Sequence, residues 1–348
     1  MERRDYDLVC LSPVHIGSGE VLRAYQYLYD PAQSMVYFLD ERKWIAYLAQ
    51  KGWLDDFADY VADAAQKRNQ RQGVWDWLKR QGASAVEMRK LALRSAKATT
   101  KSTKSSLNDI HVQISQADGM PYIPGSSIKG AMRTAILYAL VKKNPQEYRD
   151  FWQQLQHGRA RDKERVMQEL EIHAFHRLNR RDTKPRDMVN SVMQGLRVSD
   201  ATTRQRETVL CQKVDVTTQA NRRTGETRKT LPLFRECLPK GRQLHFSVVA
   251  DFSMLEKIGI TSFADILEDM REFLLDGLAL EEKAFASTDR GFFEEAREGD
   301  FLLGGGTGFL TKTIVQALAP DARAARDFTA NLLDEKFTVK NRLTRRMM

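Results

Sequence analysis

The sequence is poor in cysteine, and the three that it contains are far apart. Cys10, Cys211 and Cys237 form no CxxC pair and no disulfide framework, which is compatible with a reducing compartment such as the cytoplasm. A structural zinc site would need clustered ligands, and the sequence has no such cluster. We therefore predict neither a metal site nor another cofactor.

Long apolar runs are also missing. No stretch approaches the roughly 18 apolar residues that a membrane-spanning helix needs. The N-terminal segment MERRDYDLVCLSPV carries charges but no long apolar core, so we expect no secretory signal. These absences predict a cytoplasmic protein without a membrane partner.

What the sequence does have is positive charge and enough apolar residues for real cores. Among 348 residues, 42% are hydrophobic, and 55 Lys and Arg outnumber 46 Asp and Glu, which leaves a net charge of +9. Such an excess favours a polyanionic partner, most often nucleic acid. The alternative is a solvated surface rich in lysine and arginine.

Strands and helices mix in both halves of the chain without regular βα alternation, which predicts an α+β fold. We place two domains at 1–195 and 196–348, as the length suggests. Periodicity and turn residues predict strands at 5–16, 25–29 and 35–39, followed by a helical insertion over about 43–98 and a polar linker at 99–106. Next come a strand from 110, a helix over 127–143 and a basic helical region over about 145–195. In the second half we predict strands at 209–216 and 244–252 and helices over about 263–285 and 323–333.

The first segment that could carry function is Ser12–Glu20, with the sequence SPVHIGSGE. Gly17 and Gly19 allow close approach of another backbone, and exposed amides there could hold a phosphate. His15 could act as a general base or acid, since its unperturbed pKa is near neutrality. The alternative is that His15 only packs or hydrogen-bonds at the end of a strand.

The second segment is Pro121–Arg133, with the sequence PYIPGSSIKGAMR. We predict that Ser126 or Ser127 caps the helix, whose N-terminus is a suitable place for an anion. Lys129 and Arg133 share one face of the helix, and a glycine at position 130 suggests close approach by another backbone. The alternative is a capped amphipathic helix with two solvated cations.

The third segment is the glycine-rich stretch Gly304–Thr313, with the sequence GGGTGFLTKT. Its glycines expose backbone amides, Lys312 adds a donor, and Phe309 offers a ring for base stacking. The spacing from Gly306 almost fits the P-loop pattern GxxxxGK[ST], but Thr311 replaces the required glycine. The alternative is a flexible turn between a strand and a helix.

The stretch Arg159–Arg186 is rich in basic residues, with the runs RARDKER and RLNRRDTKPR. A solvated helix face explains most such stretches, but this one could equally follow the phosphates of a nucleic acid.

Together, SPVHIGSGE, PYIPGSSIKGAMRTAIL and the late GGGTGF resemble the RAMP (repeat-associated mysterious protein) superfamily of CRISPR proteins. The order and relative positions of all three motifs match this superfamily over most of the chain. The N-terminal LSPVHIGSGE, followed by YLYD and VYFLD, is most similar to the fifth Csm subunit, the terminal backbone subunit of type III-A effector complexes.

This resemblance implies two ferredoxin-like (RRM-related) domains and a place at the 3′ end of the CRISPR RNA (crRNA). The implied partners are the repeated Csm backbone subunit, the other Csm effector subunits, and host nucleases that mature the crRNA 3′ end. The RNA-binding residues that we predict are His15, Gly17, Ser18, Ser126, Ser127, Lys129, Arg133, Gly304, Gly305, Gly306, Thr307, Gly308, Phe309 and Lys312.

Three functional hypotheses follow. The first is a non-catalytic crRNA-binding subunit that caps the crRNA 3′ end and supports assembly of the complex. The second is a metal-independent CRISPR-repeat endoribonuclease in which His15 is the general base. The third is a nucleotide-binding protein that uses Gly306–Thr313.

Overall fold

A computed structural model describes residues 1–66, 73–99, 107–213, 233–284 and 290–336. The predicted linker at 99–106 lies outside these residues, except for Thr99. The strands of the described chain are β1 (Glu2–Val9), β2 (Gly17–Leu22), β3 (Tyr27–Asp30), β4 (Met35–Leu39), β5 (Ala92–Ala98), β6 (Ile110–Gln113), β7 (Tyr122–Ile123), β8 (Leu196–Val198), β9 (Ala201–Thr202), β10 (Thr208–Gln212), β11 (Phe234–Cys237) and β12 (Gln243–Ala250).

The described helices are α1 (Glu41–Lys51), α2 (Leu54–Gln66), α3 (Val74–Arg80), α4 (Ala85–Lys90), α5 (Gly125–Lys143), α6 (Arg149–His157), α7 (Ala160–Phe175), α8 (Phe252–Leu255), α9 (Phe263–Ala284), α10 (Arg290–Arg297), α11 (Val315–Leu318) and α12 (Ala322–Lys336). The mixture of sheets and helices confirms the predicted α+β class. The positions of β3, β4, β6, β12, α9 and α12 agree with the predicted elements to within a few residues.

Two sheets organise the strands. One has the order β1-β12-β9-β7, with β8 also paired to β12, and the other has the order β2-β6-β11-β10-β5-β4-β3. In the smaller sheet β1 pairs with β12, and in the larger sheet β10 and β11 pair with β5 and β6. Both sheets therefore take strands from both sides of residue 195, so a boundary there does not separate them.

The first predicted strand is too long. β1 ends at Val9, not at residue 16, and the chain then crosses toward the larger sheet. Along this crossing, the backbone N–H of Val14 donates to the carbonyl of Leu238 at 3.0 Å. Residues 10–16 therefore connect the two sheets, which brings His15 to their junction.

Helix α5 lies in the main core, where Ile128, Met132 and Ile136 are buried. The predicted caps at Ser126 and Ser127 are wrong, because the helix begins at Gly125, two residues before the predicted start at Ser127. There the backbone N–H donates to Oδ1 of Asp200 at 2.7 Å, and a carboxylate suits the positive end of a helix.

The predicted close approach at Gly130 is also wrong. A Cβ atom at Gly130 would meet no atom within 4 Å. The close approach occurs instead at Gly125, where a Cβ atom would overlap the carbonyl oxygen of Val198. Gly125 therefore sets how closely α5 packs on β8.

The helical insertion contains α1 to α4 and has its own aromatic core around Trp75, Trp77 and Trp44. It ends at Lys90, not at residue 98. Residues Ala92–Ala98 instead form β5, between β4 and β10 in the larger sheet. Alanine has a low strand propensity, but pairing on both sides and burial of Ala96 and Ala98 outweigh it.

The basic region at 145–195 is helical only up to Phe175, where α7 ends. The next 20 residues form an irregular segment with two short 3-10 helices, Met188–Asn190 and Val192–Gly195. This segment leads directly into β8 of the smaller sheet.

Candidate functional site

Two of the predicted segments meet at Gly304 and Gly305. The backbone N–H of Gly305 donates to the carbonyl oxygen of His15 at 2.8 Å. Gly304 has a φ of +87°, and a Cβ atom there would overlap the same carbonyl. Only glycine combines this left-handed conformation with this close approach, so the glycines bring the two segments together.

His15 is buried, with 7% of its surface exposed. Its Nδ1 lies 2.7 Å from the carbonyl oxygen of Glu236, and because a carbonyl can only accept, Nδ1 must be the donor. The Nε2 atom would lie 3.3 Å from a Cβ atom at Gly17. Burial lowers the pKa of His15, and the charges of Arg235 and His111 act in the same direction. The structure thus favours a neutral imidazole.

Arg235 on β11 faces the glycine segment, although no motif or spacing in the sequence pointed to it. Its Nη1 atom would lie 2.7 Å from a Cβ atom at Gly306. Within the described part of the chain, its guanidinium has no carboxylate partner. Gly305 and Gly306 are exposed beside it, so backbone and cation are open to the same ligand.

Lys312 completes this group. Its ammonium donates to the carbonyl oxygen of Gly304, and burial lowers its pKa, with the charge of Arg235 acting in the same direction. Phe309 is 37% exposed on the same segment. We call His15, Arg235, Gly304–Gly308 and Lys312 the glycine-loop cluster.

Gly17 and Ser18, from the first segment, lie beside the cluster. The Ser18 hydroxyl donates to the carbonyl of Val112 at 3.4 Å and accepts from the backbone N–H of Glu20 at 3.1 Å. Gly17 begins β2 and leaves space for the imidazole of His15. Both residues therefore shape the strand beside the cluster.

The buried carboxylate of Glu236 connects the strands next to the glycine-loop cluster. Glu236 is fully buried and accepts two hydrogen bonds from Arg94, from Nε at 2.8 Å and Nη2 at 2.9 Å. The Thr208 hydroxyl also donates to it at 2.9 Å, and the backbone N–H of Gln113 does so at 3.1 Å. The carboxylate therefore ties β5, β6, β10 and β11 together.

Gln113 extends this network to the segment that carries His15. Its side-chain oxygen accepts from the backbone N–H of Ile16 at 2.8 Å, and its amide nitrogen donates to the carbonyl of Tyr122 at 3.1 Å. A buried polar network in which the donors and acceptors are hydrogen-bonded is rigid. This network therefore fixes the backbone around His15. The sequence showed none of these partners, because they come from four separate strands.

Lys129 and Arg133 lie together on α5, as predicted from their spacing. Burial lowers the pKa of Lys129, and the charges of Arg133 and Arg197 contribute in the same direction. Arg133 forms an ion pair with Glu171 at 2.7 Å and lies 5.1 Å from the centre of the Phe175 ring. We call Lys129, Arg133 and Arg197 the helix cluster.

An acidic side chain lies under the glycine segment. Oε1 of Glu281 on α9 would be 3.0 Å from a Cβ atom at Gly308. Burial raises the pKa of Glu281 to about 6. Near Glu281, the Thr311 hydroxyl donates to the carbonyl of Thr307, which fixes the turn of the glycine segment.

The geometry does not favour a nucleotide site at Gly306–Thr313. A P-loop follows a strand and leads into a helix, whereas Phe301–Leu303 is not a strand and Leu310–Lys312 forms only a short 3-10 helix. Thr311 also occupies the position at which the P-loop pattern requires its second glycine.

Two kinds of feature are absent from the described residues. No group of three or more His, Cys, Asp and Glu side chains in them could hold a metal ion. Within the same residues, no helix has both the length and the apolar character needed to cross a membrane.

Comparison with known proteins identifies the family. Residues 7–309 match the model of the RAMP superfamily, and this chain belongs to that superfamily. The resemblance read from the three motifs is thereby confirmed.

Two named relatives are similar over nearly the whole chain. The CRISPR system Cms protein Csm5 of Mycobacterium tuberculosis (strain CDC 1551 / Oshkosh) is 28% identical over 363 residues, which cover 95% of this chain and 86% of the relative. The protein of the same name from Enterococcus italicus is 25% identical over 346 residues, which cover 93% and 83%.

Two solved structures share the fold. A chain of a Csm-crRNA-target RNA ternary complex from a type III-A CRISPR-Cas system superimposes with a TM-score of 0.68 at 20% identity, and the match covers 94% of this chain and 91% of that one. The crystal structure of T. onnurineus Csm5 gives a TM-score of 0.64 at 19% identity and covers 98% and 96%.

Proposed function

We propose that this chain is a non-catalytic crRNA-binding subunit of a type III-A Csm effector complex, in which it caps the 3′ end of the crRNA. The names of its relatives and the complex that contains a chain of the same fold support this assignment. Its neighbours in the complex would be the repeated Csm backbone subunit and the other effector subunits. The chain would act in the cytoplasm, fold as two ferredoxin-like domains, and support 3′-end maturation by host nucleases.

The observation that carries the proposal is the meeting of His15 and Gly305 beside two cations. Exposed glycine backbone lets a phosphate approach closely, while Arg235 and Lys312 supply positive charge. Phe309 offers a partly exposed ring against which a base could stack. Such a site binds the RNA backbone with little preference for base sequence.

The helix cluster gives the RNA a second region of contact. Lys129 and Arg197 have no carboxylate partner among the described residues, so their charges are available to phosphates. Arg133 shares its charge with Glu171 and contributes less. Ser126 and Ser127 lie in the first turn of α5, where the N–H of Gly125 already donates to Asp200 and that of Ser127 donates to Pro124. What the two serines could offer a phosphate is therefore their hydroxyl groups.

The burial of His15 supports a binding role over a catalytic one. A general base must reach the 2′-hydroxyl that it deprotonates, directly or through one water. The imidazole of His15 is covered by the glycine segment, with Nδ1 committed to Glu236. We therefore assign His15 to positioning the glycine segment and not to cleavage.

Binding is tested with the purified chain and a crRNA of defined 3′ end at several salt concentrations. If Arg235 and Lys312 both contact phosphates, Arg235→Ala with Lys312→Ala should reduce the slope of log K against log salt by about 1.4. The control is Arg42→Ala with Lys90→Ala, which removes two exposed cations from the helical insertion. An unchanged slope in the first pair would place the RNA on another surface.

The endoribonuclease alternative is tested separately by incubating the chain with repeat RNA in EDTA. The proposal predicts intact RNA. Specific cleavage that disappears with His15→Ala would overturn the non-catalytic assignment.

A further inference from the structure

The loop Arg177–Val189, which follows α7, is built around the buried side chain of Asn190. Only 2% of Asn190 is exposed. Its Oδ1 atom accepts from the backbone N–H of Arg180 at 2.7 Å, and its Nδ2 atom donates to the Thr183 hydroxyl at 2.9 Å and to the carbonyl of Lys184 at 2.8 Å. One side chain therefore satisfies both of its donors and fixes three points of the loop.

Further hydrogen bonds within the loop add to this rigidity. The side chain of Asp187 accepts from the backbone N–H of Lys184 at 2.9 Å, and the ring of His176 bonds to the carbonyl of Pro185 at 2.9 Å. Asn179 and Asp182 have left-handed φ values of 47° and 57°, which these two residue types tolerate better than most. The loop thus has a defined shape, although regular secondary structure begins only at its end, in the 3-10 helix Met188–Asn190.

The outer surface of this loop carries unpaired positive charge. It contains five basic and two acidic residues. Two of the cations are paired, Arg177 with Glu147 at 2.8 Å and Arg186 with Glu169 at 3.2 Å. The other three, Arg180, Arg181 and Lys184, are exposed and form no ion pair within the described chain.

We propose that this loop is a further RNA-binding surface, on which Arg180, Arg181 and Lys184 bind phosphates of the RNA backbone. Three unpaired cations match a repeating polyanion, and arginine suits phosphate in particular. Because the loop is already ordered, little conformational entropy is lost when it binds. The inference rests on the proposed function only for the identity of the polyanion as RNA.

The charges favour RNA over a protein partner. The apolar part of the surface is small, with Met188 68% exposed and Val189 42% exposed at one end of the loop. A protein interface of ordinary stability has an apolar centre depleted of charge, whereas here exposed cations predominate and the apolar part is limited to two side chains.

The test measures the affinity of the full chain for a crRNA across salt concentrations. The triple change Arg180→Ala, Arg181→Ala and Lys184→Ala should reduce the slope of log K against log salt by about 2. The matched control is Arg42→Ala, Lys90→Ala and Lys257→Ala, which removes the same charge from exposed positions elsewhere. Since Asn190 holds the backbone and not these side chains, the triple variant keeps the loop intact.

A second variant tests whether the shape of the loop matters. Asn190→Ala retains all the cations but leaves the N–H of Arg180 and the carbonyl of Lys184 without their partner. We expect weaker RNA binding with a salt slope like that of the unchanged chain, at a temperature where thermal unfolding shows both proteins folded. Unchanged affinity would contradict the role given to the preformed loop.

Two outcomes would overturn the inference. One is a salt slope of the triple variant equal to that of its control. The other is normal RNA binding by the triple variant together with loss of Csm subunit assembly on Met188→Ser and Val189→Ser, which would make the loop a protein-docking surface. A deficit in the triple variant with none in Arg235→Ala plus Lys312→Ala would instead support this loop while contradicting the glycine-loop cluster.

Discussion

Gly304 is a residue at which a side chain would be costly for two separate reasons, its positive φ and its contact with His15. Its carbonyl accepts from Lys312, its neighbour Gly305 donates to His15, and its own φ is positive. Any side chain there must displace the carbonyl of His15 or change the backbone conformation. Gly304 therefore couples the stability of the chain to the shape of the candidate RNA site.

We predict that Gly304→Ala destabilises the protein by at least about 1–2 kcal/mol, the ordinary cost of a left-handed non-glycine residue. Gly130→Ala is the matched control: it lies in open space within α5 and should stabilise the protein by about 0.5–1 kcal/mol. Urea unfolding of both variants measures the difference. Equal stability of the two would show that the segment does not pack on His15 as described.

Glu281 gives a second prediction at this scale, in the pH dependence of stability. Burial raises its folded pKa to about 6 from an ordinary 4.5, so the folded state binds the proton more tightly than the unfolded state does. Its contribution is favourable below about pH 4.5 and is lost as the pH rises through 6. Glu281→Gln should therefore raise the free energy of unfolding at pH 8 relative to the unchanged chain, and the gain should shrink toward pH 4.5. A gain independent of pH would contradict this account.

Among the elements, β5 shows how a single strand can connect the fold to the site. It lies between β4 and β10, and its Arg94 neutralises the buried Glu236 whose carbonyl orients His15. The helical insertion precedes β5 directly. A shift of β5 would therefore change the positions of both the insertion and the glycine-loop cluster.

Removing Arg94 should be costly, because it leaves a buried carboxylate without a partner. For Arg94→Met we predict a loss of about 3–5 kcal/mol in the free energy of unfolding. The control is Arg3→Met, whose ion pair with Asp5 is exposed on both sides and should be worth at most about 1 kcal/mol. Chemical denaturation measures both losses. Similar losses for the two variants would mean that the buried Glu236 carboxylate does not depend on Arg94 for its stability.

Periodicity in the sequence was sufficient to predict the helices and strands with a strong apolar pattern. It failed for the elements whose conformation is set by tertiary contacts. The long helices α5 and α9 and the hairpin β3–β4 were predicted because their apolar residues repeat at the right spacing. β5 was missed because its sequence ALRSAKA is helix-like locally and becomes a strand only through its neighbours. The start of α5 was misplaced because its partner, Asp200, lies 75 residues away.

For the molecule as a whole, the net charge of +9 is only a starting point, since many of the cations are paired. Arg133, Arg177 and Arg186 have carboxylate partners. Cations without an ion-pair partner among the described residues remain in the glycine-loop cluster, the helix cluster and the Arg177–Val189 loop. The pattern of unpaired charge predicts an RNA path better than the total does.

The sequence predicted only part of the candidate site. Motif order was enough to relate Ser12–Glu20 to Gly304–Gly308, and the structure brings these two segments together. Arg235 could not be predicted, because a single arginine in a short strand has no sequence signal until the sheet order places it. The RNA-binding role of each named residue stays a prediction.

The central claim, that the chain holds the 3′ end of the crRNA at the glycine-loop cluster, is tested most directly by crosslinking within the assembled complex. A photoreactive phenylalanine analogue would be placed at position 309, where the native ring is partly exposed, with a second one at Trp75, buried in the insertion, as the control. The account predicts a crosslink from position 309 to the last nucleotides of the crRNA and none from the control. Crosslinks from position 309 to the 5′ end, or to protein alone, would contradict it.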